Sequence, residues 1–337
     1  MLAMVAGVAS AEINIDFVTV GNAGNAGELS GEGAGGYGLD AIVGGVDYVY
    51  QIGKYEVTNA QYTAFLNAVA KTDTYGLYST YMWSTTRGCK IQREGESGSY
   101  TYSVAGDHAN RPVNHVSWGD AARFMNWLHN GQPIGAQGSN TTEDGAYYLN
   151  GAATDAQLMA VTRKDGAKYW IPTENEWYKA AYYDPNKPGG PGYWDYPTGS
   201  DNTPSNQLTS PDPGNNANFN DNGYTIGSPY YRTPVGAFTN SESPYGTFDQ
   251  GGNVHEWNET VIKSIWWSDP VRGIRGGCWY SDSDNLLASV RSSYYPTAEG
   301  FSFGFRVASV PEPGSLTLML CGALAGVFWW WRRGRSA

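Results

Sequence analysis

The sequence predicts an α+β fold with little regular secondary structure, in which short strands and a few helices hang on long loops around one core. Three observations lead there. Glycine and proline are abundant, at 44 and 17 of 337 residues, without a Gly-X-Y period, so turns are frequent and a collagen helix is excluded. Charged residues make up only 16% and aromatic residues 14%, with 25 Tyr and 13 Trp. Disorder requires the opposite balance, so this chain must pack a core. Helix-start signals also recur between alternating apolar stretches. At ~150 residues per domain the length alone suggests two domains, but no linker divides the chain before Ser309, and one domain is expected.

The elements follow in order. Residues 1–9 are apolar and run into Ala9-Ser10-Ala11, the small-x-small pattern of a signal-peptidase site, so residues 1–11 are expected to be a short signal peptide. Residues 12–45 open with alternating apolar positions (Ile13, Ile15, Phe17) and become Gly-rich from Gly21, which reads as a strand and a loose loop. A second strand is expected over 46–52. Thr58 with Gln61 forms a capping box ahead of Tyr62, Phe65, Leu66 and Val69 on one helical face. Ser117 with Asp120 opens a second helix through Phe124 and Leu128, stopped by Gly131. Thr173 with Glu176 starts a third, short one, closed by Pro185. The stretches 131–155 and 184–232 are expected to be long loops, a length that usually signals function or an ordering ion.

Net charge is −11, and the body without its tail is more acidic still, because the last 27 residues carry three Arg and one Glu. With no basic stripe, nucleic-acid binding is not expected. The three cysteines, Cys89, Cys278 and Cys321, form no CxxC pair, which excludes a zinc ribbon or iron–sulfur site. Cys89 and Cys278 leave three readings open, a structural disulfide in an oxidising compartment, two unpaired buried thiols or a displaced metal site.

At the C-terminus, Pro311-Glu312-Pro313 precedes an uncharged, mostly apolar stretch over 315–331, then Arg332, Arg333 and Arg335. Seventeen helical residues at ~1.5 Å each span ~26 Å, enough for a bilayer core. The flanking Trp and Arg residues place the basic end in the cytoplasm. Residues 309–337 resemble the PEP-CTERM sorting signal. The resemblance implies processing by an exosortase, transient inner-membrane anchoring, and an envelope or extracellular-matrix destination in a Gram-negative bacterium.

Five segments, in order, resemble the formylglycine-generating enzyme (sulfatase-modifying factor) family. They are 52–67 (IGKYEVTNAQYTAFLN), 111–128 (RPVNHVSWGDAARFMNWL), 170–181 (WIPTENEWYKAA), 246–259 (GTFDQGGNVHEWNE) and 275–307, which opens RGGCWY and closes GFRV. Together they span 46–308. The resemblance implies a single irregular α+β domain related to C-type lectins. Read from the residues alone, these motifs are largely structural. Trp118, Trp127, Trp177, Trp257 and Trp279 are core first, and Arg306 is expected to pair with a buried carboxylate.

Active members of that family hold copper(I) between two cysteine thiolates, soft ligands suited to that ion. The first stands fourth after the Gly-Gly pair and the second five residues later. Counting from Gly277 gives Ser281 and Leu286. A hydroxyl is a hard ligand and leucine has no donor, so copper is not expected, although Cys278 lies nearby. A second branch uses three histidines on iron. His108, His115, His129 and His255 form no HxxxH pair, so iron is not expected either.

The resemblance implies calcium instead. It assigns ligands to the Asp249 side chain, the Gly252 and Val254 carbonyls and the Glu256 carboxylate, and a second site starting with the Asn218 side chain and the Phe219 carbonyl. Oxygen ligands from carboxylates and backbone carbonyls are what calcium prefers. The expected function is an exported, non-catalytic, calcium-stabilised domain, with exopolysaccharide or an envelope glycan as a partner through exposed aromatics such as 193–196 or 266–267. The alternative is an oxidase that converts a substrate cysteine to formylglycine at a site rearranged around Cys278.

Overall fold

A computed structural model describes residues 12–263 and 269–311. The signal peptide, Trp266-Trp267 and the membrane helix expected over 315–331 lie outside the described residues. Among those described, no helix is long and apolar enough to cross a membrane.

All three capping boxes form. Thr58, Ser117 and Thr173 each accept the backbone N–H of the residue three positions on, and Gln61, Asp120 and Glu176 reach back. The helices run Asn59–Val69, Trp118–His129 and Glu174–Tyr182. The first two pack face to face, with Phe65 and Phe124 ring centroids 5.2 Å apart and Phe305 5.3 Å from Phe124. All five motif tryptophans are fully buried, each bringing a large apolar area to the interior.

Two four-stranded sheets frame this core. The first runs Phe17–Val20, Tyr50–Gly53, Ala308–Ser309, Tyr169–Trp170, antiparallel throughout. It thus ties the opening strand to the residues just before the sorting motif. The second runs Ser292–Tyr294, Val271–Arg275, His255–Ile262, Phe303–Gly304, with only the last pairing parallel. A register shift bends its long strand between Trp257 and Val261.

Two expectations are refined. The Gly-rich stretch is not a plain loop, since Glu28–Ser30 pairs with Ala41–Val43. Its ends are pinned to the body by the Gly31 N–H, which donates to Ser289 at 2.8 Å, and by Ser30 Oγ, which donates to the Ala288 carbonyl at 2.8 Å. The long loop that follows His129 also ends in a short helix, Asp155–Met159, with its own capping box from Thr154 and Gln157.

Candidate functional site

The segment 249–256 is the turn that feeds the long strand. Asp249, Gly252 and Asn253 all have positive φ, at 61°, 88° and 51°. At Gly252 the requirement is also steric, because a Cβ there would stand 2.1 Å from the Asn218 carbonyl oxygen. The close approach exists because the Asn253 N–H donates to that carbonyl at 2.9 Å. The two segments to which calcium ligands were assigned therefore lie side by side. The turn 276–281 closes over them. Gly276 accepts the Gly252 N–H at 2.8 Å, the Trp279 N–H donates to Asn253 at 3.0 Å, and the Asn220 N–H donates to Ser281 at 2.8 Å.

Carboxylates are concentrated here. Glu256 is fully buried and pairs with Arg306, Oε2 to Nε at 2.5 Å and Oε1 to Nη2 at 2.7 Å, while Trp177 Nε1 donates to Oε2 at 2.7 Å. Arg306 thus finds the buried carboxylate expected for it. Asp249 Oδ2 accepts the Gly236 N–H at 2.6 Å, and burial pushes its carboxyl up to about 6. Glu56, missed in the sequence, is 1% exposed, and its Oε1 has no partner. Burial first, then the charges of Asp249 and Glu256, hold its carboxyl well above the usual range. Arg306 faces all three carboxyl groups.

Other assigned ligands keep acceptor capacity. Asn218 Nδ2 donates to the Tyr231 carbonyl at 3.0 Å and to Asn253 Oδ1 at 2.8 Å, whereas its buried Oδ1 has no partner. The Phe219 carbonyl accepts only from Thr225 Oγ1 at 3.2 Å and, at 3.4 Å, from Asn206 Nδ2. Among the described residues no three His, Cys, Asp or Glu side chains converge on a point that could hold a metal. A cation here would depend on backbone and amide oxygens as much as on carboxylates.

The two positions to which the resemblance assigned copper ligands differ in character. Ser281 sits in the turn with Cys278, their Oγ and Sγ 3.3 Å apart. Leu286 is fully buried against Tyr196, Ala217 and Phe219. Cys89 and Cys278 are both buried and unpaired, so no disulfide joins them in this structure. His115 is buried with Nδ1 3.2 Å from the Glu299 carbonyl, and burial drives its imidazole down to about 4. At the end of its helix, His129 Nδ1 accepts the Lys168 N–H at 3.1 Å.

Above Cys278 lies an aromatic face that sequence reasoning overlooked. Tyr224, Tyr231, Trp279, Tyr280 and Phe301 contact one another, with centroids 4.6 Å apart for Tyr231 and Trp279 and 5.3 Å for Tyr224 and Trp279. The Arg87 guanidinium stacks over this group, 5.0 Å from the Phe301 ring. Tyr280 is 50% exposed and Tyr224 40%. The Trp-Tyr pair after the Gly-Gly turn was the signal that could have found it. The face proposed at 193–196 is less open. Tyr196 is buried, and Trp194 donates to Asp184 and lies under Lys187.

Comparison with known proteins agrees with this layout. The sulfatase-modifying factor enzyme 1-like domain matches residues 47–310, and the PEP-CTERM protein-sorting motif matches 309–333. Among solved structures, Treponema denticola variable protein 1 superposes with a TM-score of 0.51 at 19% identity, covering 90% of this chain and 97% of that one. PvdO from Pseudomonas aeruginosa gives a TM-score of 0.45 at 20% identity over 81% and 84% of the two chains. The serine/threonine-protein kinase pkn1 of Chlamydia caviae is 34% identical over 90 residues, 23% of this chain and 14% of the kinase. The chain thus spans only about a seventh of the length of that curated relative. The sorting motif implies exosortase processing and export to the envelope of a Gram-negative bacterium. The chain belongs to the sulfatase-modifying factor enzyme 1-like domain family and ends in a PEP-CTERM sorting motif.

Proposed function

We propose that this protein is a non-catalytic, calcium-stabilised binding domain, displayed at the cell envelope or in the extracellular matrix, whose aromatic face holds an exopolysaccharide or envelope glycan. The observation that carries the reading is the replacement of both copper-ligand positions by Ser281 and buried Leu286 beside a face that exposes Tyr224 and Tyr280. The face of an exposed aromatic ring stacks on the C–H face of a sugar, and Arg87 suits an acidic substituent. The lectin-like character of the scaffold and transient anchoring by the C-terminal helix belong to the same proposal.

Calcium is supported by the cluster of buried acidic groups Glu56, Asp249 and Glu256 and by the unpartnered Asn218 Oδ1. Asp249, Gly252 and Val254 would hold the first ion. Glu256 would contribute only the acceptor capacity that Arg306 and Trp177 leave on it. Asn218 and Phe219 would hold the second. The ion's role is structural, ordering the loop that carries Tyr224 and Tyr231.

The test is calcium-dependent retention on immobilised envelope polysaccharide, with Tyr280→Ala and Tyr224→Ala as variants. Retention lost on chelation and weakened at least tenfold in the variants supports the reading. Failure to bind any envelope glycan counts against it. The oxidase alternative keeps one observation in its favour, the unpaired Cys278 in the position of the active turn. Copper-dependent oxygen consumption with a cysteine peptide, abolished by Cys278→Ser, would establish it.

A further inference from the structure

A shallow groove of about 420 Å³ lies between two segments that follow the second helix, and it shares no lining residue with the aromatic face. One wall is the turn 148–152. The other is the stretch 157–164, which begins in the helix Asp155–Met159. Leu149, Ala152 and Val161 are buried and give the groove an apolar floor, while Tyr148 is 59% exposed.

Both walls are fixed by buried arginines. Arg123 holds Glu143 through Nε and Nη2 at 2.7 and 3.1 Å, and its Nη2 also donates to the Ala152 carbonyl at 2.9 Å. Glu143 in turn gathers the first wall. Its carbonyl accepts the Leu149 and Asn150 N–H groups, and its Oε2 accepts that of Gly151 at 2.8 Å. On the second wall, Arg272 Nη2 donates to the Leu158 and Val161 carbonyls at 2.8 and 2.7 Å. The groove therefore has its shape before any ligand arrives, which lowers the ordering cost of binding.

The chemistry of the lining selects the ligand. The wall backbone is already bonded inside the protein. Besides the groups held by Glu143 and the two arginines, the Ala160 and Val161 N–H groups donate to the Gln157 and Leu158 carbonyls. A peptide adding as an extended strand would find these main-chain groups taken. Lys164 pairs with Asp144 at 2.7 Å, so its charge is already answered and the groove does not call for an anion. What remains is the Tyr148 ring beside the exposed, neutral side chains of Asn150, Gln157 and Thr162. Gln157 Oε1 accepts the Ala153 and Thr154 N–H groups, which fixes the amide and leaves its Nε2 to donate outward. One exposed ring flanked by neutral donors and acceptors matches the C–H face and the hydroxyls of a pyranose.

We propose that this groove is a second glycan site, which binds a neutral saccharide by stacking it on Tyr148 and hydrogen-bonding it to Asn150, Gln157 and Thr162. The site does not depend on the aromatic face holding a glycan. Where both are engaged, two weak sites on one body raise retention on a polymer well above that of either. A short, soluble sugar separates them, because it cannot bridge the two.

The purified, isotope-labelled protein is titrated with neutral oligosaccharides of glucose, galactose and mannose, and backbone amide shifts are followed by NMR. The expected result is saturable shifts over 148–164, with binding weakened about tenfold in Tyr148→Ala and severalfold in Thr162→Val. Both positions are exposed, so neither variant disturbs the fold, and the unchanged remainder of the spectrum checks this. No shift over 148–164 with any of the sugars, or shifts that survive Tyr148→Ala unchanged, would overturn the proposal. Shifts confined to Tyr224, Trp279 and Tyr280 would also overturn it, while supporting the aromatic face as the glycan site.

Discussion

Glu174→Gln removes one negative charge from between two buried arginines and leaves the side-chain shape intact. Glu174 Oε1 accepts Arg275 Nη2 at 2.6 Å and Arg291 Nε at 2.9 Å, and Oε2 accepts Arg291 Nη2 at 2.8 Å. Arg275 also holds the Ala288 and Val290 carbonyls and Ser30 Oγ, so the cluster joins the third helix to the second sheet and to the Gly-rich hairpin. Burial would raise the Glu174 carboxyl, but Arg275 first, and then Arg291, hold it at about 2 against an ordinary 4.5. That gap corresponds to about 3 kcal/mol at neutral pH. Removal of one partner from a buried pair costs about 3–5 kcal/mol, which agrees. Because the folded-state value is depressed, the stabilisation is fully present above pH 4.5 and disappears as the pH falls toward 2. Urea unfolding of both proteins from pH 7.5 down to the acid limit measures the difference. A gap below about 1 kcal/mol at pH 7, or one that does not close in acid, would refute the reasoning.

Three further outcomes are expected. Gly252→Ala places a Cβ 2.1 Å from the Asn218 carbonyl at a φ of 88° and should lower the urea-unfolding free energy by about 2 kcal/mol or more. Burial raises Glu259 to about 7 despite Arg163, so its ionisation costs stability as the pH rises from 4.5 through 7. Glu259→Gln should therefore raise the melting temperature at pH 8 and leave it unchanged near pH 4.5. Chelation of calcium at pH 7.5 should lower the melting temperature of the wild-type protein, and less so in Asp249→Asn; calcium present at 100 times its dissociation constant contributes about 2.7 kcal/mol.

What the sequence revealed is mostly what is local. Each capping box joins residues three apart, so Thr58, Ser117 and Thr173 announced their helices without any tertiary information. Ser281 and Leu286 were legible by counting from Gly277. Thr154 and Gln157 carried the same signal, but the five-residue helix behind them is too short for a periodic apolar face. The Glu28–Ser30 hairpin was hidden because its strands are three residues each and its connection is long, not a two-residue turn. The groups that define the site meet across far greater distances. Glu56 faces Asn253 from 197 residues away, and Glu174 meets Arg291 across 117. No spacing rule reaches that far; only the fold brings them together.

Copper binding is the point on which a binding scaffold and an oxidase differ most. A copper(I) titration of the reduced, calcium-loaded protein, with Cys278→Ser as the control, tests it directly. A non-catalytic scaffold predicts no tight one-to-one binding and no difference between the two proteins. Tight stoichiometric binding that is lost in Cys278→Ser would contradict it.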